Sequence, residues 1–183
     1  IIAAAIMHNV YGVVSGAIFG ATMIILYCMS SIYHGLNPKL TTKKVFQIID
    51  HCTIFLLIAG TYTPITLCTL REYNRALGWI IFGVIWGAAA LGISLNAIDL
   101  KKYAMFSIIC YLAMGWCVAF VSKAIIKAMH PDGLLLLLLG GICYTLGAVL
   151  YVLGHKVKYF HSVFHIFCVI GSILHYLCIL LFV

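Results

Sequence analysis

"VFQIIDHCTIFLLIAGTYTPITLCTL", residues 45–70, is apolar over the whole length that a membrane-crossing helix needs, yet it carries Asp50 and His51 near its start and Pro64 in its second half. A hydrocarbon core of about 30 Å takes ~20 helical residues. Working outward, five more stretches pass the same test: residues 12–35, 75–97, 102–121, 134–154 and 159–183. The totals agree, since 65% of the chain is hydrophobic and only 8% charged, against roughly 25% charged in soluble domains. The runs are continuously apolar where strands of a transmembrane barrel would alternate over ~10 residues. The fold class predicted is therefore all-α, a polytopic transmembrane helical bundle forming one membrane domain over residues 1–183. Ahead of it, "IIAAAIM" (residues 1–7) is apolar but too short to span. It reads as the remnant of a first helix, which gives a seven-helix type truncated in that helix. The same piece lacks the basic flank of a signal peptide.

A formal charge of +7 raises the question of nucleic acid, but the basic residues lie at span ends and form no patch, so no nucleic-acid partner is expected. Positive-inside bias accounts for them. Lys39, Lys43, Lys44, Lys101, Lys102, Lys156 and Lys158 fall on one side, and Arg71, Arg75, Lys123 and Lys127 on the other. The first set is expected in the cytoplasm and the C-terminus outside. Cys28, Cys52, Cys68, Cys110, Cys117, Cys143, Cys168 and Cys178 are scattered through the spans with no CxxC pair, and so read as small buried hydrophobes.

Gly12, Gly16 and Gly20, and likewise Gly83 and Gly87, recur every fourth residue, a spacing that lets helix backbones approach closely in lipid. Pro64 removes a helical N–H and crowds the Gly60 carbonyl, so a kink is expected there. Trp79, Trp86, Trp116 and Tyr151 read as packing or interfacial anchors, and the leucine run 134–139 as core or lipid-facing.

Five polar residues do not fit that apolar background: Ser30 and His34 in "SSIYHGL", Asp50 in "QIIDHCTIF", and His161 and His165 in "YFHSVFHIF". When spans alternate direction, all five fall toward the cytoplasmic face. Ionisable groups at such depth are costly unless they pair or bind something. Residues four apart share a helix face, which sets Ser30 beside His34 and His161 beside His165. Three imidazoles suit zinc and leave a fourth position for water, the arrangement of catalytic sites. Asp50 is placed to act as general base or to hold that water, and Ser30 to donate to the water, to Asp50 or to a developing oxyanion. The competing reading has these side chains hydrogen-bonding across helices, or lining a solvated vestibule, without an ion. A b-type haem would want ligands on opposite helices, so one small ion fits better. The other histidines carry less: His51 points about 100° away from Asp50, His155 reads as a solvated loop residue, and His175 as a packing or interhelical hydrogen-bond residue. His8 and His130 fall on the opposite side. Glu72, Asp99 and Asp132 read as loop charges.

The SxxxH of "SSIYHGL", the segment "IIDHCTIFLLIAGTYTP" and the late "HSVFH" resemble, in that order, the hemolysin III family, within the progestin and adipoQ receptor superfamily that includes adiponectin receptors. The resemblance runs from about Gly16 to the end of the chain. It implies a seven-helix bundle with zinc near the cytoplasmic side, held at His34, His161 and His165. In the wider superfamily, which includes alkaline ceramidases, it implies that Ser30 and Asp50 support a zinc-bound water. It also implies residence in a bacterial plasma membrane. The missing first helix puts the lining of any lipid cavity in doubt.

Three functions stand open. The leading one is zinc-dependent hydrolysis of a lipid amide or ester, with a membrane lipid as substrate. Against it stand pore-forming cytolysis, for which no span shows a polar stripe, and a receptor-like or membrane-homeostasis role with structural zinc. Sequence names neither the lipid nor the oligomeric state.

Overall fold

The structure is a computed structural model and describes every residue except Met7, His155, Lys156 and Lys158, with the backbone alone at Ala3. The expectations for His155, Lys156 and Lys158 thus lie outside the described residues. No strand occurs among those described. Contacts gather the chain into two compact units, Ile1–Met114 and Gly115–Val183.

The first unit opens with a single helical turn, α1 (Ile2–Ile6), and α2 (Val10–Gly35) starts where the Asn9 side chain accepts a hydrogen bond from the Gly12 N–H at 2.9 Å. α3 (Thr42–Pro64) follows. Pro64 has no N–H to offer the Gly60 carbonyl, and the distortion expected there takes the form of wider winding: Ile65–Leu70 is π-helical and runs into the short α4 (Arg71–Tyr73). Local π adjustments and threonine hydroxyls satisfy backbone groups that a proline frees inside a membrane. Here Thr61, Thr63 and Thr66 each donate to the carbonyl one turn earlier, at 2.8 Å.

α3 with its π-helical extension is the buried centre of the unit; 83% of its most apolar window is covered, against 11–22% in the other spans. Those others turn most of their apolar surface outward, as lipid-facing helices do. Gly60 sets how near α2 comes to α3, because a Cβ at this position would collide with the Thr22 side chain. Gly20, Gly83 and Gly87 have nothing within 4 Å of such a Cβ among the described residues. The four-residue glycine spacing therefore marks a close approach at Gly12, beside Ala4 and Asn9, and not at Gly83 or Gly87.

α5 (Arg75–Gly115) is continuous except at Asp99, whose φ of −156° and ψ of 94° are extended. A straight helix would hold Asn96 and Ser107 about 16 Å apart, yet Ser107 Oγ donates to Asn96 Oδ1. The chain therefore turns back at Asp99, and α5 is a helical hairpin with arms 75–98 and 100–115. Asp99 Oδ1 accepts from the Lys102 N–H at 3.0 Å, so this carboxylate caps the second arm. Among the described residues, five helical stretches are long and apolar enough to span, and the one running from Arg75 to Ala128 contains this turn. The stretch expected at 102–121 leaves α-helical winding after Gly115 and continues as a 3-10 turn, Cys117–Val121.

The second unit holds that turn, α6 (Ser122–Ala128), α7 (Pro131–Leu153) and α8 (Phe160–Phe182). Pro131 suits the first position of α7, where its missing N–H costs nothing, and the His130 side chain accepts from the Asp132 N–H. α7 and α8 are antiparallel: Gly133 lies against Phe182, Gly140 against His175, Gly147 against Phe164 and Phe167, and Gly154 against His161. Trp86 donates to Thr63 Oγ1 and Trp116 to Thr145 Oγ1, so both indoles pack between helices.

Gly60→Val forces α2 and α3 apart, and overpacking of this kind costs about 1–3 kcal/mol. Thermal unfolding in detergent should show a lower Tm for this variant, while Gly83→Ala leaves it unchanged.

Candidate metal centre

In the first unit, α2 carries Ser30 and His34 one turn apart, Ser30 half-buried and His34 exposed. Asp50 sits early in α3 and is only 7% exposed. α2 and α3 pack against each other in this unit. The connection between them is pinned by Lys43, whose Nζ donates to the Leu36 carbonyl at 2.7 Å and lies 5.2 Å from the Tyr33 ring centre. Tyr33 stands edge-on to His34, with ring centres 4.6 Å apart.

Asp50 is held from behind by the backbone. Thr53 Oγ1 donates to the Asp50 carbonyl at 2.7 Å, and Tyr111 Oη donates to the next carbonyl, that of His51, also at 2.7 Å. Tyr111 Oη in turn accepts from Asn96 Nδ2, whose Oδ1 takes the Ser107 hydroxyl. Asn96 and Ser107 are buried, and this chain ties both arms of α5 to the turn of α3 that presents Asp50. The Tyr111 ring also rests on Phe55, 4.4 Å between centres. Sequence reasoning missed this support, although its signal was present: an asparagine at the end of one apolar run, with a serine and a tyrosine early in the next.

His51 is turned aside as expected. Its Nδ1 lies 2.8 Å from the Gln47 carbonyl and 4.0 Å from Asp50 Oδ2. At the other ends of the helices, Arg71 donates from Nε to the Leu67 carbonyl and stacks over Tyr11, while His130 pairs with Asp132 at 3.5 Å.

In the second unit, His161 and His165 share one face of α8, and their Nε2 atoms are 3.2 Å apart. The rings stand at 88° to each other. Two nitrogens bound at 2.0–2.1 Å to one tetrahedral zinc would be separated by about 3.3 Å. The pair as it stands therefore has the spacing of two ligands to a single ion. Tyr151 and Phe164 pack around the His161 ring, giving it an apolar wall. α8 begins just before, at Tyr159, whose φ of 72° is left-handed, a conformation unfavourable for a tyrosine. Such strained residues gather near functional sites.

His34, the third histidine singled out in the sequence, belongs to the first unit. Neutral imidazole is a common ligand for zinc and its neighbours among the transition metals.

Comparison with known proteins gives a consistent picture. A family described as Haemolysin-III related matches residues 1–176. The chain is 37% identical over 172 residues to Hemolysin-3 of Bacillus cereus, covering 93% of this chain and 76% of that one. It is 35% identical over 182 residues to the Hemolysin-3 homolog of Bacillus subtilis (strain 168), covering 100% and 83%. A more distant relative is the human monocyte to macrophage differentiation factor, 26% identical over 188 residues and covering 98% and 76%. No solved structure matches. The family resemblance read from the three motifs therefore holds.

Tyr111→Phe removes the donor to the His51 carbonyl and the acceptor for Asn96 Nδ2. An interhelical hydrogen bond in a membrane is worth about 0.6–2 kcal/mol. The variant should lose about that much stability in reversible denaturation, while Tyr73→Phe, at an exposed position, loses none.

Proposed function

The chain belongs to the haemolysin-III-related family, and on that premise we propose that it is a zinc-dependent hydrolase of a lipid amide or ester, working within the membrane. His34, His161 and His165 hold the ion. The observation that carries this reading is the 3.2 Å separation of the two Nε2 atoms on α8, which matches two ligands on one small cation. Support comes also from Asp50, an acid buried in a membrane-length helix. A carboxylate at such depth is costly unless it is paired or put to use, and the proposed role uses its charge.

When bound, zinc supplies a Lewis acid strong enough for water to lose a proton near neutral pH. Asp50 accepts that proton and, in the reverse sense, returns it to the departing amine or alcohol. The backbone that carries Asp50 is held by Thr53 and by the Tyr111 chain. Ser30, one helical turn from His34, donates a hydrogen bond to the attacking water or to the oxyanion as charge develops. The apolar wall of Tyr151 and Phe164 keeps bulk water from His161. A lipid reaches this site from the bilayer, consistent with the outward-facing apolar surface of the surrounding spans. On this reading that side faces the cytoplasm, following the bias of basic residues on its loops, and the membrane is a bacterial plasma membrane.

The Bacillus relatives are named for hemolysis, so one experiment separates the functions. Protein purified into liposomes is assayed in parallel for free fatty acid release and for dye leakage. The expected result is zinc-dependent acid release without leakage; leakage that survives loss of all three histidines would establish a pore instead. If neither occurs and metal removal only lowers the Tm, the zinc is structural. His161→Ala should lower zinc content, whereas Asp50→Ala abolishes acid release and keeps most of the metal. Stoichiometric zinc in His161→Ala would contradict the ligand assignment.

A further inference from the structure

The α7–α8 pair contains a second polar locus, about 15 Å along α8 from His165, that the hydrolytic reading does not use. His175 lies in a notch on α7 that exists because Gly140 has no side chain, since a Cβ there would overlap the imidazole. Its Nε2 is 3.1 Å from the Leu137 carbonyl. A carbonyl only accepts, so Nε2 carries the proton and Nδ1 presents a lone pair. Nδ1 is fully covered and has no hydrogen-bond partner among the described residues. Nearby, Tyr144 packs against the ring at 5.4 Å and its Oη lies 2.6 Å from Ser172 Oγ; Ser172 is one turn before His175 on the same face.

An interhelical lock would need only Nε2, and asparagine or tryptophan would serve as well. What the lock leaves unexplained is a buried acceptor inside hydrocarbon, where an unanswered polar atom is at its most costly. The geometry points to a binding site at His175 Nδ1 for one neutral hydroxyl donor, with Gly140 and Tyr144 fixing the ring that receives it. Water and a lipid hydroxyl share that chemistry. The ligand is a single O–H group, because a cation would find one lone pair and no charge beside it, and an anion would find no donor at Nδ1. The site does not depend on the zinc reading.

The test is heavy-nitrogen NMR of the full chain with labelled histidine in nanodiscs of phosphatidylcholine alone, and of phosphatidylcholine with diacylglycerol. The His175 resonances are identified by their loss in His175→Phe or His175→Gln, and independently by through-space contact with the Tyr144 ring. The expected result is an Nδ1 signal shifted from the bare-acceptor position toward that of a hydrogen-bonded acceptor. Magnetisation transfer from water in both membranes identifies water as the donor; a shift that appears only with diacylglycerol identifies a lipid hydroxyl. A bare-acceptor signal in both membranes, or a doubly protonated ring, overturns the proposal.

Discussion

Every polar side chain in hydrocarbon needs a partner within the protein, because no water is there to replace one, and α3 is where this chain concentrates that demand. Threonines 61, 63 and 66 turn their hydroxyls back onto the helix, and Trp86 adds a donor to Thr63. Around Pro64 the winding widens to a π-helix, so the segment stays helical past a residue that cannot complete the usual ladder. At its start, the same helix has the carbonyls of Asp50 and His51 engaged by Thr53 and Tyr111. The helix can therefore be buried almost throughout while still carrying an acid.

This economy separates the polar residues into two kinds. Most are answered locally or by a neighbouring helix, and their role is to fix rotation and spacing: Asn96, Ser107 and Tyr111 align the two arms of α5 with α3, and Trp116 with Thr145 does similar work beside α7. Asp50 and the α8 histidines are the residues on which the proposed site draws. The two imidazoles meet edge to face with nitrogen 3.2 Å from nitrogen, a contact that one shared proton or one shared cation would make. The strained backbone at Tyr159, directly before them, belongs with a site whose ring positions are imposed by the fold.

Hydropathy alone made the architecture legible, since membrane-length runs need no tertiary information to be recognised. The pairing of His161 with His165 was equally legible, because helical periodicity fixes it. The glycine repeats were not. Gly12 and Gly83 carry the same four-residue signature, but only a partner surface makes a small residue a contact, and that surface is not written locally. The change of winding inside the stretch beginning near Lys102 escaped notice for a related reason: Trp116 and Cys117 are apolar enough to continue a span, while the turn to 3-10 geometry after Gly115 does not alter hydropathy. The support behind Asp50 escaped notice because Asn96, Ser107 and Tyr111 converge only once the chain turns back at Asp99.

The claim on which the functional account rests is that imidazoles, and no thiolates, hold one zinc ion, although eight cysteines are available. X-ray absorption at the zinc edge of the purified protein tests it most directly. The account predicts three imidazole nitrogens in the first shell at about 2.0–2.1 Å with a light oxygen atom completing it, whereas sulfur scatterers near 2.3 Å, or a protein that retains no zinc at all, would contradict it.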